Sequence, residues 1–320
     1  MTLHVACAAD ANYVPHAAAM IHSLLQPPQA DDVRVHFLHD ALLAPELRDR
    51  LGAFVRDHGG DIRFHEVDME RLRGLPTMGR ISQVMWLRVF LPELLPSESR
   101  VLYLDCDTQI VDDLQPLWRT DLCGAWLGAV ANVFEPGKQV HAAALGLPEP
   151  RRYFNSGVLL MDLDAWRRER CAERILALVR DRTTRLVWPD QDALNVTFAG
   201  HWKALDPRWN CQNSLFFFRH AAEVFGAETV RAATESPGIL HFEGGNLAKP
   251  WHYLCKHPMR STYLHHRAAT PWPLDRVEGR TWGNRLLRPL PMRILLPSLK
   301  FIHRVRSALD RRIARILPSP

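Results

Sequence analysis

The sequence predicts a single mixed α/β catalytic domain followed by a basic helical tail. Three observations carry that reading. The first 70 residues alternate short β-branched or apolar runs with 3.6-periodic stretches, in the order β-α-β-α-β. An apolar run, Val101 to Leu104, ends in Asp105-Cys106-Asp107. Eleven basic residues from Arg276 to Arg315 face almost no acids.

Leu3 to Ala9 reads as a strand, closed by the turn-forming Asp10-Ala11-Asn12-Tyr13. Pro15 opens a helix through Met20, Ile21, Leu24 and Leu25. Val33 to Leu38 is a second strand, Pro45 to His58 a helix stopped by Gly59-Gly60, and Ile62 to Val67 a third strand. A strand entering a polar turn and then a helix is a common cradle for a nucleotide. No G-x-G-x-x-G and no G-x-x-x-x-G-K-[ST] occurs, which argues against a standard dinucleotide fold or a P-loop. Ile81 to Leu91 is expected to be a helix carrying Arg88, and Leu127 to Val133 a strand. Tyr153 to Asp162 is expected to be a polar turn feeding a buried strand, followed by one long helix from Leu163 to Val179. Trp188-Pro189-Asp190-Gln191-Asp192 precedes a short helix from Ala193 to Phe198, with Asp192 its helix cap. Gly238 to Phe242 is a strand ending at His241.

Alternation along an extended chain points Asp105 and Asp107 the same way. Two hard oxygens at a strand end can chelate a divalent cation. A bare Asp-x-Asp also describes an acidic turn, and the same pattern opens haloacid-dehalogenase-like phosphatases, with Asp105 as nucleophile. That reading expects a threonine two places beyond the second aspartate, and the motif near the chain start; neither holds here. Six cysteines lie scattered without a C-x-x-C pair, which suits a reducing cytoplasm rather than a disulfide framework or zinc site. No stretch reaches the roughly 18 apolar residues of a membrane span, and no secretory signal opens the chain. No aromatics are interleaved with the tail arginines, so nucleic acid is not an expected partner.

Five motifs occur together and in order: Ala8-Ala9-Asp10-Ala11-Asn12-Tyr13, Asp105-Cys106-Asp107, Phe154-Asn155-Ser156-Gly157-Val158, Asp190-Gln191-Asp192, and His241 followed by Lys249-Pro250-Trp251. Over residues 3–255 the chain resembles glycosyltransferase family 8, retaining enzymes of the GT-A fold. Within it, the chain is most similar to bacterial lipooligosaccharide and lipopolysaccharide galactosyl- and glucosyltransferases. The resemblance implies a GT-A domain over residues 1–270, with a Rossmann-like nucleotide-binding half and a mixed central sheet; the composition break near Pro271-Trp272-Pro273 sets off a tail over 271–320. It implies transfer of galactose or glucose from a UDP-sugar to a saccharide acceptor in surface-glycan synthesis. Asp105, Asp107 and His241 would hold Mn²⁺, with Mg²⁺ as the alternative; two carboxylates and an imidazole suit Mn²⁺ better than zinc. Asp10 and Asn12 would hold the uridine and Tyr13 stack on the uracil. Arg88, Cys106, Gly244 and Lys249 would contact the nucleotide-sugar, and Asn155, Asp190 and Gln191 line the sugar pocket. Gln191 and Asp190 are the candidate catalytic residues, Gln191 as an amide stabilising the oxocarbenium-like centre during front-face substitution.

Two departures stand out. The family usually places two residues between the glycine and lysine of H-x-x-G-x-x-K-P-W; here four separate Gly244 from Lys249, so the loop must bulge. Asn132 stands where some galactosyltransferases carry an aspartate near the acceptor. A non-catalytic nucleotide-sugar-binding relative is the other alternative, against which intact Asp105, Asp107 and His241 argue. In the tail, Leu299, Ile302, Leu309, Ile313 and Ile316 fall on one side of a helix expected from Ser298 to Leu317, flanked by arginines. Such a helix either docks on the core or lies on an anionic membrane surface. The second option implies a cytoplasmic enzyme, peripheral on the inner face, with a lipid-linked acceptor.

Overall fold

Three parallel strands form one half of the main sheet: β1 (Leu3–Ala8), β2 (Val33–His39) and β3 (Asp61–Glu66), with Val5 opposite Val35 and Val35 opposite Ile62. The connections are helices α1 (Val14–Leu25) and α2 (Pro45–Asp57), each with proline in its first turn, where a missing N–H costs nothing. β4 (Arg100–Leu104) joins the free side of β1 in parallel. β7 (Phe154–Asp162) runs antiparallel to β4, β6 (Leu127–Ala131) antiparallel to β7, and β8 (Trp202–Ala204) parallel to β6. The strand order is β3-β2-β1-β4-β7-β6-β8. This mixed sheet agrees with the expected fold. The computed structural model describes residues 2–26, 32–77, 83–134, 138, 140–147, 153–245, 247–291 and 295. The helix expected over Ser298 to Leu317 lies outside the described residues.

The two faces of the sheet make two cores, and the period of two sorts side chains between them. Leu102, Leu104, Val158 and Leu160 pack with α1 and α2, whereas Val101, Tyr103, Leu159 and Met161 pack with Trp86, Phe90, Trp166 and Phe198. Each such buried side chain stabilises by roughly 1.5–3 kcal/mol. A smaller sheet, β5 (Thr108–Ile110), β10 (Ile239–His241) and β9 (Cys211–Gln212), lies in that order beyond β4. Residues 271–279 return to the domain: Glu278 exchanges backbone hydrogen bonds with Trp251 and Tyr253, and Arg50 lies over the Trp272 ring at 5.0 Å. Among the described residues no helix is long and apolar enough to cross a membrane.

Four local expectations are corrected. Residues 83–90 form a 3₁₀ helix, with Arg88 Nε donating to the Met85 carbonyl. Asn155, Ser156 and Gly157 lie inside β7 and are buried, because partners from other elements satisfy their polar groups. The helix expected over 163–179 is two helices, Leu163–Arg168 and Cys171–Asp181, broken by the left-handed Arg170 (φ 53°). The helix expected from Ala193 begins at Pro189, so Asp190 and Gln191 occupy its first turn. Asp192 is therefore not its cap residue. Its carboxylate reaches back instead to the N–H groups of Val187 and Trp188, at 2.6 and 2.9 Å.

Buried imidazoles make the fold acid-sensitive. Burial pulls His16 and His36 down to about 3, with Arg267 and His65 respectively adding to it, and pulls His257 and His266 down to about 4. Each folded value lies below the unfolded one, near 6.5. The unfolded chain then binds more protons through the window from about 6.5 down to 3–4, so stability falls with falling pH across it. At pH 5 one such group costs on the order of 2 kcal/mol, a sizeable share of a typical domain stability of about 5–15 kcal/mol. Thermal melts should show Tm dropping steeply from pH 6.5 to 5, less so in His36→Gln. A flat Tm over that range would contradict the argument.

Candidate active site

β4 delivers Asp105 and Asp107 to its C-terminal end, where the Asp105 N–H still bonds to the Gly157 carbonyl of β7 at 2.8 Å. The chain then enters β5 directly. Because β5 pairs antiparallel with β10, His241 stands opposite Thr108, beside Asp107. His241 Nε2 lies 3.3 Å from Asp107 Oδ1. One ligand atom each from Asp105, Asp107 and His241 lie within 4.8 Å of one another. Two carboxylate oxygens and an imidazole nitrogen converging in this way fit a divalent cation such as Mn²⁺.

Cationic side chains already press on this acidic centre. Lys249 Nζ donates to Asp107 Oδ2. Burial would push the Asp107 carboxyl up, but Lys249 and His241 prevail and hold it far below the usual carboxylate range. Burial likewise opposes charge on His241 and Lys249, and Asp107 raises both. Arg88 is buried with its guanidinium 4.3 Å above the Tyr103 ring. It donates to Asp105 Oδ1 at 2.9 Å and to the Ser156 carbonyl at 2.5 Å, and lies 3.4 Å from Asp190 Oδ2. Tyr103, on the same face of β4 as Asp105, donates its hydroxyl to Oδ1 at 3.1 Å. Burial raises the Asp190 carboxyl despite Arg88.

Gln191 is held at both ends of its amide. Its Oε1 accepts from the Ser156 N–H at 3.0 Å, and its Nε2 donates to the Tyr153 hydroxyl at 3.1 Å. Tyr153 in turn donates to Asp192, which also meets His141 Nε2 at 2.8 Å. A chain of contacts thus joins Lys249, Asp107, His241, Asn210 and Asn155, and a second joins Asp105, Arg88, Asp190, Ser156 and Gln191.

The remaining expected residues take these places. Asp10 Oδ1 accepts from the N–H groups of Asn12 and Tyr13, closing the turn before α1. Tyr13 is 38% exposed and meets Trp251 edge-on at 6.3 Å. Trp251 is buried on His16, 3.8 Å between ring centres. The Cys106 thiol is buried and donates to the Ala8 carbonyl at 3.3 Å, leaving only its backbone to face a ligand. Gly244 takes φ +89° in an exposed bulge, and Lys249 reaches Asp107 despite the longer loop.

Sequence reasoning missed Tyr103, Gly157 and Asn210. The alternation Tyr103, Asp105, Asp107 was available for the first. For the second, a glycine inside a strand marks a close backbone approach: a Cβ on Gly157 would stand 2.2 Å from His241 Cε1 and 2.9 Å from Asp105 Oδ2. Nothing local marks Asn210.

The sequence profile of glycosyl transferase family 8 matches residues 4–255. General stress protein A of Bacillus subtilis is 30% identical over 84% of this chain and 94% of its own length. The lipopolysaccharide 1,2-glucosyltransferase of Escherichia coli K12 is 26% identical over 85% of this chain and 80% of its own. Among solved structures, galactosyltransferase LgtC in complex with donor and acceptor sugar analogues superposes with a TM-score of 0.73. It is 29% identical and covers 85% of this chain and 96% of that one.

Proposed function

The chain belongs to glycosyl transferase family 8, and on that premise we propose that it moves galactose or glucose from a UDP-sugar to a saccharide acceptor, with retention, in surface-glycan synthesis. The observation that carries the reading is the convergence of Asp105, Asp107 and His241 at the end of β4. Bound there, Mn²⁺ or Mg²⁺ would supply Lewis-acid neutralisation of the diphosphate leaving group. Lys249, already on Asp107, is placed to turn to a phosphate oxygen. Asp10, Asn12 and Tyr13, with the Cys106 backbone, take the uridine end; Gly244 leaves room for the diphosphate. Asn155, Asp190 and Gln191 take the sugar.

In the front-face reaction the C1–O bond to diphosphate breaks while the acceptor oxygen bonds to C1 from the same side. The acceptor's proton passes to the departing diphosphate oxygen. The Gln191 carbonyl, oriented by Ser156 and Tyr153, stabilises positive charge developing at C1. Arg88 keeps Asp190 and Asp105 apart and compensated. Against the phosphatase alternative stands the match of residues 4–255 to the glycosyl transferase family 8 profile. The basic residues of the tail, each worth roughly 1 kcal/mol at an anionic surface, support peripheral attachment beside a lipid-linked acceptor.

The test is a donor screen with Mn²⁺, using UDP-galactose, UDP-glucose and UDP-N-acetylglucosamine, with NMR of the product. Transfer from one of the two hexose donors giving an α-linkage is expected. A β-linked product rules out retention, and turnover of the N-acetylated donor alone rules out the hexose assignment. Sedimentation with anionic liposomes should retain the full chain and release one ending at Asp275; equal binding defeats membrane attachment.

A further inference from the structure

Asn210 ends the short helix Pro207–Asn210, whose start is held by Asp206 Oδ1 accepting from the Arg208 N–H at 2.9 Å. Its side chain is fully buried between two others. On one side lies His241 Nδ1, 2.9 Å from Asn210 Oδ1; on the other lies Asn155 Oδ1, 2.9 Å from Asn210 Nδ2. Asn155 Oδ1 also accepts from the Gly157 N–H at 3.0 Å, and Asn155 Nδ2 faces Asn132 Oδ1 at 3.3 Å.

The direction of this chain follows from one group that has no choice. A backbone N–H only donates. The Asn155 atom facing the Gly157 N–H must therefore be the oxygen. The Asn210 atom facing that oxygen must be its NH₂. The other end of the Asn210 amide is then an acceptor, and His241 Nδ1 must carry a hydrogen to meet it. The neutral ring keeps its lone pair on Nε2, the nitrogen that faces Asp107.

We infer that Asn210 is a positioning residue for the metal centre: with Asn155 it relays the Gly157 N–H to the ring of His241, and so selects the tautomer that presents Nε2 as a ligand. Asn210 touches no reacting group. It acts by orienting one that does, and partners of this kind are worth about 10–100-fold in metal affinity. The inference rests on the metal-site reading above.

Two measurements test it. Long-range ¹H–¹⁵N NMR of the full chain, metal-free at alkaline pH, reads the ring directly, with the His241 signals assigned by their loss in His241→Gln. Nδ1–H is expected in the unsubstituted protein and its loss or mixing in Asn210→Leu; Nε2–H in the unsubstituted protein, or an unchanged ring in Asn210→Leu, overturns the inference. Mn²⁺ titration followed by electron paramagnetic resonance should show Asn210→Leu, or Asn210→Ala if the leucine variant does not fold, binding about 10–100-fold more weakly. Parent-like Mn²⁺ affinity in Asn210→Leu also overturns it. If the unsubstituted protein binds no Mn²⁺, the metal reading fails by itself, and the tautomer measurement still decides the role of Asn210.

Discussion

Asp107→Asn should abolish sugar transfer while leaving the far-UV spectrum unchanged, with kcat/KM down by at least about 10³-fold, roughly 4 kcal/mol of transition-state stabilisation. The substitution preserves shape and one acceptor oxygen, so Lys249 keeps a partner. It removes the charge on which Lys249 and His241 both converge and with it one metal ligand. Burial alone would favour a neutral carboxyl at this position, and the two cationic neighbours overrule it. The site is thus built to keep Asp107 ionised, which matters only if its charge is used. Rate measurements with and without EDTA check the claim. Parent-like turnover by Asp107→Asn, or turnover indifferent to chelation, would sink it.

Gly157→Ala should cost nearly as much, through geometry alone. The added methyl would lie 2.2 Å from His241 Cε1 and 2.9 Å from both His241 Nδ1 and Asp105 Oδ2. None of these atoms can yield cheaply. His241 is tied to Asn210 and sits in a three-residue strand, and Asp105 is held by Arg88 and Tyr103. Overpacking of this kind costs about 1–3 kcal/mol of stability, and a displacement near 1 Å at a reacting site costs about 10²-fold in rate. A double variant with His241→Ala separates the two effects: removing the ring should recover part of the lost Tm, the Asp105 contact remaining, but not activity. A Gly157→Ala enzyme with the parent's rate and melting point would show that β7 can shift as a unit.

The frame of the molecule was legible because it rests on local chemistry. Proline starts, the Gly59-Gly60 stop and β-branched runs placed β1 to β3 and their helices within a residue or two. Asp105, Asp107 and His241 were legible as a set only through motif order, since 133 residues separate Asp107 from His241 along the chain. What stayed hidden depends on tertiary partners. Asn155 and Ser156 read as turn residues, because polar side chains normally leave a strand for water; here Asn210 and Gln191 supply the missing partners. Residues 163–179 read as one helix because apolar spacing carries no sign of the left-handed kink at Arg170. Asp192 read as a cap because its contacts with Tyr153 and His141 come from 39 and 51 residues away.

The small sheet bears on which changes of chain length the molecule tolerates. His241 owes its place to a pairing only three residues long, Ile239–Ile110, Leu240–Gln109 and His241–Thr108. Successive side chains on a strand point to opposite sides, so losing one residue ahead of His241 in β10 would turn the imidazole away and bring Phe242 in its stead. A few positions later the rule reverses. Lys249 is placed by its own turn, through the Gly245 carbonyl, and by Trp251 seated on His16, so the bulge before it absorbs extra residues without moving the ammonium off Asp107. Length is therefore policed in the strand, whereas the loop carries two residues more than the family's usual spacing and still delivers Lys249 to Asp107.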